Sequence, residues 1–335
     1  MKTIAYYITD SGFGHLTRST AIIEHILENS EYYLIIVCNK AQNDHAKVGL
    51  RGYEERLIFI DVDTDANSVF MENSLKVDVE ATEHNINEYL RELPMHAKYQ
   101  YNLLKAMDIA LIITDISILG IKVATRLGVP CIGISNYTWY NRYKAMGISE
   151  DIIEIFKEWY NKLDLLYRFE LYDEMEDITC PMEDVGLVCR EVNEMASSDL
   201  KKTYWPAVYM SVGQVEKKQE SFNINFPSGT IFATGNINVE GNVHLVKLPA
   251  RVSHTQDYIS ASSFALIKGG WSSVAECLIL NIPFGILVQD ATEDEELVAK
   301  LFERKYAFQI TEDELREFQI THLNIKSQAC VRPKY

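Results

Sequence analysis

The strongest constraint on this chain is a repeated alternation in which strand-length runs of branched apolar residues are followed by longer amphipathic stretches. In the first half the apolar runs are IAYYIT (residues 4 to 9), YLIIVC (33 to 38), RLIFID (56 to 61), LIITD (111 to 115) and VPCIGIS (129 to 135). Between them lie helical stretches over residues 16 to about 28, about 79 to 106, and 118 to 127. Strands that are apolar along their whole length, with helices between them, build a parallel sheet buried on both faces. Leu16, Ile22, Ile23, Ile26 and Leu27 form one apolar stripe opposite Arg18, Glu24 and Glu28, as a helix lying on such a sheet requires. Residues 150 to 168 read as a further amphipathic helix.

Between Arg190 and Tyr204 the text turns polar (REVNEMASSDLKKTY), and the alternation then restarts. The later apolar runs are PAVYMSVG (206 to 213), GTIFATG (229 to 235), NVHLVKL (242 to 248), FALIKGG (264 to 270), IPFGILV (282 to 288) and AFQI (307 to 310). Helices are expected near residues 255 to 261, 273 to 280 and 294 to 304. A chain of 335 residues, 47% of them apolar, is long enough for two domains with cores of their own, at ~100 to 200 residues each. The expected organisation is an N-terminal domain over residues 1–190, a linker over 191–205, a second domain over 206–318 and a tail over 319–335. No low-complexity tract or short-period repeat interrupts it.

The formal net charge of −16 argues against nucleic acid as a partner, because that affinity rests on many Lys and Arg neutralising phosphates. A small phosphorylated ligand stays open, since a helix N-terminus holds one or two phosphates whatever the distant surface carries. Cys38, Cys131, Cys180, Cys189, Cys277 and Cys330 lie far apart and form no CxxC pair, so reduced thiols are expected. There is no signal-peptide pattern and no apolar run of ~18 residues, which points to a cytoplasmic protein.

The first strand runs into Asp10-Ser11-Gly12-Phe13-Gly14-His15. A dinucleotide fingerprint needs a third glycine at the place of Thr17 and an acidic residue at the place of Asn39, so NAD is not expected. What is left is a glycine turn with an imidazole at a helix start. There the positive dipole end disfavours imidazolium, and a neutral His15 can serve as a base; the other account is a histidine packed at the helix start. Asp115 closes LIITD at the same sheet edge and can fix the tautomer of His15, or simply cap the next helix. Asp61-Val62-Asp63 is a DxD but sits in a turn-rich acidic loop, so a solvated segment and no metal site is the reading.

In the second half Ser211 and Gly213 offer a hydroxyl and an exposed amide at a strand end. Lys268-Gly269-Gly270-Trp271-Ser272-Ser273-Val274-Ala275-Glu276 supplies a cation, two glycines and two hydroxyls at a helix N-terminus, a set suited to a diphosphate. Ser273 to Glu276 also matches a capping box, which would satisfy the helix start without any ligand.

With these residues in view, the chain resembles the inverting glycosyltransferases of the GT-B fold: α/β, two Rossmann-like domains with parallel sheets facing across a cleft. Lys268-Gly-Gly-Trp271-Ser272-Ser273-Val-Ala-Glu276 matches the spacing of the HCGWNSxxE signature of plant UDP-sugar transferases. VYMSVGQ and LVKLP resemble flanking segments of the nucleotide domain, and GFGH and ITDISILGIKVATRLGVP resemble the segments carrying the family's catalytic His and its Asp partner. A closer resemblance is to the GT-like N-terminal region of arabinokinase-type proteins, where stretches similar to GFGHLTRS, NSLKVDVE, SNYTWY and PFGILVQDATEDEE recur.

The resemblance implies a metal-independent, inverting transfer of a sugar of hexosyl or N-acetylhexosaminyl type from a nucleotide diphosphate sugar, with UDP as the expected nucleotide, to an acceptor hydroxyl. His15 is then the base and Asp115 its partner. Gly12, Gly14, Ser211, Gly213, Lys268, Gly269, Gly270, Trp271, Ser272, Ser273 and Glu276 face the donor, Glu276 at the ribose. Asn136, Trp139 and Tyr140, in the loop after VPCIGIS, are the expected acceptor side, the other account being packing within the N-terminal domain. The nucleotide sugar enters as substrate, with no further cofactor. Where the family often carries Asp-Gln at the sugar, this chain has Asp294-Glu295, which exchanges an amide donor for a carboxylate. The alternative is a catalytically silent GT-B module that binds a sugar nucleotide or a partner protein; a nucleotide-sugar 2-epimerase lacks its own signature here.

Overall fold

The computed structural model describes residues 2–69, 71, 77–211, 221–235, 237–249, 252–287, 295–311, 314, 330, 331 and 333. The chain divides into two compact units between Leu187 and Val188.

Unit 1 runs β1 (Thr3–Ile8), α1 (Gly14–Asn29), β2 (Tyr33–Cys38), α2 (Lys40–Gly49), β3 (Leu57–Asp61), α3 (Val79–Leu104), β4 (Ile109–Asp115), α4 (Ile118–Leu127), β5 (Cys131–Ser135), α5 (Trp139–Met146), α6 (Glu150–Tyr160), β6 (Leu165–Phe169) and β7 (Met182–Val185). Its seven strands are all parallel, in the order β3-β2-β1-β4-β5-β6-β7. Every residue of β1 is buried, as expected for a central strand with helices on both faces. Gly120 lets α4 settle on this sheet, since a Cβ there would stand 3.0 Å from Tyr7 Cγ and 3.1 Å from Thr114 Oγ1.

The stretch over 150 to 168 is not one helix. Helix α6 stops at Tyr160, Asn161 caps it, and Leu165–Phe169 pairs with β5. The apolar run LDLLY continues the helical spacing on paper, but the open edge of β5 takes it as a strand. Residues 139 and 140 likewise belong to a helix, not a loop: Thr138 caps α5 by accepting from Asn141 N.

Unit 2 runs α7 (Glu194–Tyr204), β8 (Ala207–Ser211), β9 (Ser221–Asn223), β10 (Phe226–Ala233), β11 (Asn238–Glu240), β12 (Val243–Lys247), α8 (Thr255–Ala261), β13 (Phe264–Ile267), α9 (Trp271–Ile279), β14 (Phe284–Leu287), α10 (Glu295–Glu303) and β15 (Phe308–Ile310). Six strands form a parallel sheet in the order β12-β10-β8-β13-β14-β15, and β9 pairs with β11 beside it. Helix α7 lies inside the polar stretch read as a linker, with Asn193 Oδ1 accepting from Ala196 N at its start.

Both sheets reverse their strand order beside the first strand, between β1 and β4 in unit 1 and between β8 and β13 in unit 2. Open α/β sheets bind their ligands beyond the carboxyl ends of the strands at such a reversal point. No described helix is long and apolar enough to cross a membrane.

Candidate functional site

In unit 1 the register sets Ile8 beside Asp115, so the turn after β1 and the end of β4 share one sheet edge. Helix α1 opens there with Phe13 as its cap residue and no side-chain cap bond. His15, Arg18 and Ser19 fall on one face of it by their i, i+3, i+4 spacing, and that face meets Asp115. His15 Nδ1 lies 2.9 Å from Asp115 Oδ1. Arg18 Nε donates to Asp115 Oδ2 at 2.8 Å, its Nη2 donates to Oδ1, and Ser19 Oγ donates to Oδ2 at 3.1 Å. Asp115 is fully buried. Burial alone would raise its carboxyl, but the Arg18 guanidinium and His15 outweigh it and bring the pKa down to about 2.

Arg18 Nη2 also comes within 2.7 Å of His15 Nδ1, so this nitrogen either donates to the carboxylate or accepts from the guanidinium. Ionised Asp115 favours the first arrangement, which puts the imidazole lone pair on Nε2. That nitrogen meets the Tyr137 hydroxyl at 2.8 Å. The Arg142 guanidinium lies over the Tyr137 ring, 4.2 Å from its centroid, and pairs with Asp173 at 3.3 Å. Arg18 Nη1 donates to Asn136 Oδ1, while Asn136 Nδ2 is buried with no hydrogen-bond partner among the described residues. Directly after Asp115, Ile116 has φ 56°, a left-handed conformation that a β-branched residue adopts only at a cost of ~1–3 kcal/mol.

Gly12 and Gly14 lie in and after this turn, Gly12 with φ 67°. Trp139 and Tyr140 are 2% exposed and belong to the unit's apolar core; Trp139 Nε1 donates to Thr9 Oγ1 and the Tyr140 hydroxyl to Asp177. Asp10 accepts from Thr64 N at 2.7 Å, yet its burial raises the carboxyl to about 6. Of the acidic loop, Asp61 and Asp63 are exposed and Asp65 is buried. Among the described residues no group of three or more His, Cys, Asp or Glu is arranged to hold a metal ion.

In unit 2 the equivalent edge joins Ser211, the last residue of β8, to the turn after β13 by the backbone bond Lys268 N to Ser211 O. Lys268 is exposed. Gly269 has φ 93°, and a Cβ on it would stand 2.8 Å from Val298 Cγ2, so only glycine fits the turn. The capping box at Ser273 is not formed. Helix α9 starts two residues earlier, at Trp271, with Gly270 as its cap residue and no side-chain cap bond. The reason is that Glu276 turns away from the helix start: Arg190 Nε donates to its Oε1 at 2.8 Å and Nη2 reaches the same oxygen at 2.7 Å. Trp271 and Ser272 are buried and Ser273 half-buried. Gly213 and Asp294 lie outside the described residues, and Glu295 is described only as the first residue of α10.

The geometry thus adds Arg18, Tyr137 and Arg190 to the sequence reading. Arg18 stands one helical turn after His15 and is recoverable from spacing. Tyr137 and Arg190 carry no local signal, because their partners are 122 and 86 residues away.

No protein-family model matches the chain. Over an alignment of 327 positions it is 23% identical to L-arabinokinase of Arabidopsis thaliana, covering 89% of this chain but only 29% of that protein's length. Among solved structures it is similar to CalG4, the calicheamicin glycosyltransferase, with a TM-score of 0.64 at 14% identity over 98% of this chain and 91% of that one. Arabidopsis thaliana UGT89C1 complexed with UDP gives 0.61 at 13% identity, covering 98% and 90% of the two chains. Phytolacca americana UGT2, complexed with UDP-2-fluoro-glucose and pterostilbene, gives 0.59 at 12% identity, covering 92% and 85%. With two parallel α/β units and these likenesses, the chain has a glycosyltransferase-like GT-B fold built from two Rossmann-like domains.

Proposed function

We propose that the protein is a metal-independent, inverting glycosyltransferase that moves a hexosyl or N-acetylhexosaminyl group from a UDP-sugar to an acceptor hydroxyl. One observation carries the proposal: His15 is held 2.9 Å from an ionised, buried Asp115 at the reversal point of the first sheet. With Nδ1 donating to Asp115, Nε2 takes the proton of the acceptor hydroxyl as that oxygen attacks the anomeric carbon. The bond from that carbon to the diphosphate breaks on the opposite face, which inverts the centre, and Asp115 stabilises the imidazolium that forms. The Tyr137 hydroxyl occupies the place such an acceptor needs at Nε2, so the acceptor displaces the phenol or passes its proton through it.

The backbone amides opening α9, with Ser272, Ser273 and Lys268 beside them, suit the departing diphosphate, and Glu276 suits the ribose. The likeness to structures holding UDP or a UDP-sugar supports UDP as the nucleotide. Calorimetric titration with UDP, GDP and dTDP tests the donor side: saturable binding of UDP is expected, and binding of none of the three would overturn the proposal.

A second reading, a silent module that binds the sugar nucleotide without transferring the sugar, is favoured by Arg18. Its guanidinium already engages both oxygens of Asp115, and an imidazolium at His15 would stand 2.7 Å from that second cation.

A further inference from the structure

The ribose role given to Glu276 rests on the function proposed above, and it leaves one residue unexplained. Arg190 is 6% exposed, stands four residues before α7, and has no counterpart in the motifs at the two sheet edges. Its guanidinium is held at every nitrogen. Nε and Nη2 both go to Glu276 Oε1, Nη1 donates to the Ser253 carbonyl, and Nη2 donates to Thr255 Oγ1 at 2.7 Å.

The way the carboxylate is held is informative. A guanidinium fork ordinarily meets a carboxylate with one nitrogen on each oxygen. Here both nitrogens converge on Oε1, and Oε2 receives no hydrogen bond from the described residues. Glu276 is 2% exposed, so burial raises its carboxyl, and the Arg190 charge acts against that rise. The Arg190 charge therefore favours the ionised form of the group, while one of its two oxygens keeps its lone pairs for another donor. Tyr209, two residues before the end of β8, feels the same charge: after burial, Glu276 is the chief cause that raises its phenol. Tyr209 belongs to β8, one of the two strands at the reversal point of the second sheet, so the Glu276 charge acts on that strand.

We propose that Arg190 is a positioning residue for nucleotide recognition: it holds Glu276 ionised and fixed through Oε1, so that Oε2 is presented to the vicinal hydroxyls of a ribose. A vicinal diol donates two hydrogen bonds to carboxylate oxygen, and a sugar lacking both hydroxyls leaves a buried charge unpaired. The site consequently selects for the ribose hydroxyls through a residue that touches no ligand.

The test compares UDP with 2′,3′-dideoxyuridine diphosphate by calorimetry on the full chain, for wild type, R190Q and R190K. Wild type is expected to bind UDP about 10- to 100-fold more tightly than the dideoxy nucleotide, the range for hydrogen bonds to a charged group. R190Q should lose most of that ratio through weaker UDP binding, with the dideoxy affinity within about threefold of wild type. R190K keeps the charge without the fork and should fall between them. If R190Q does not melt cooperatively, R190K is judged by the same ratio. Equal losses for both nucleotides in the variants would reduce Arg190 to a structural staple and overturn the inference. A wild type that binds both nucleotides equally would overturn it too, while leaving nucleotide binding intact. A wild type that binds neither would remove the proposed function as well.

Discussion

At the scale of single residues, the two sites share a design in which a buried carboxylate is held by an arginine close to the group it serves. Asp115 carries Arg18 and His15, and Glu276 carries Arg190. Asp10 is the contrasting case, a buried carboxyl with neutral partners, raised to about 6 by burial against an ordinary value of 3.8. Folding therefore favours its protonated form, and the stability this group contributes is complete below its unfolded value and lost as pH rises through about 6. A shift of this size corresponds to roughly 3 kcal/mol at most. Urea unfolding of wild type and Asp10→Asn at pH 4 and pH 7 measures it: the wild type should lose stability relative to the variant on going to pH 7. A difference that does not change with pH would contradict the burial account.

At the scale of elements, the alternation of apolar runs and amphipathic stretches made most strands and helices legible. Each central strand is a closed apolar run, and each long helix shows its stripe. Legibility failed where a rule reads locally but the outcome is decided elsewhere. LLYRF became β6 because β5 had an open edge, and α9 began at Trp271 because Glu276 was taken by a residue 86 positions upstream. The polar composition of residues 191–205 hid α7, whose start is set by one Asn193 cap bond. The fit of α4 on the sheet depends on Gly120, which periodicity does not single out. Gly120→Val should lower stability by about 1–3 kcal/mol through overpacking against Tyr7 and Thr114, read as a shift in the urea midpoint. An unchanged midpoint would mean that the contact relaxes freely.

At the scale of the whole molecule, two units repeat one plan: a parallel sheet, a reversal beside its first strand, and a glycine turn feeding a helix at that point. The order of motifs along the chain carries that plan, which is why the fold was legible even at 12 to 14% identity to solved relatives. The chemistry is less so, since His15 and Asp115 could be paired from the sequence and Arg18 follows from helical spacing, whereas Tyr137, which meets His15 Nε2 from 122 residues away, appears only in three dimensions. The match to L-arabinokinase spans 29% of that protein, so its whole activity does not carry over. The central claim concerns sugar transfer, and release of UDP from a panel of UDP-sugars, by wild type and by His15→Ala, tests it most directly. The account predicts UDP release by the wild type and a fall of about 100-fold or more in His15→Ala, the usual contribution of a general base, with UDP affinity nearly unchanged. Tight UDP binding with no release from any UDP-sugar, or release that survives loss of His15, would contradict it.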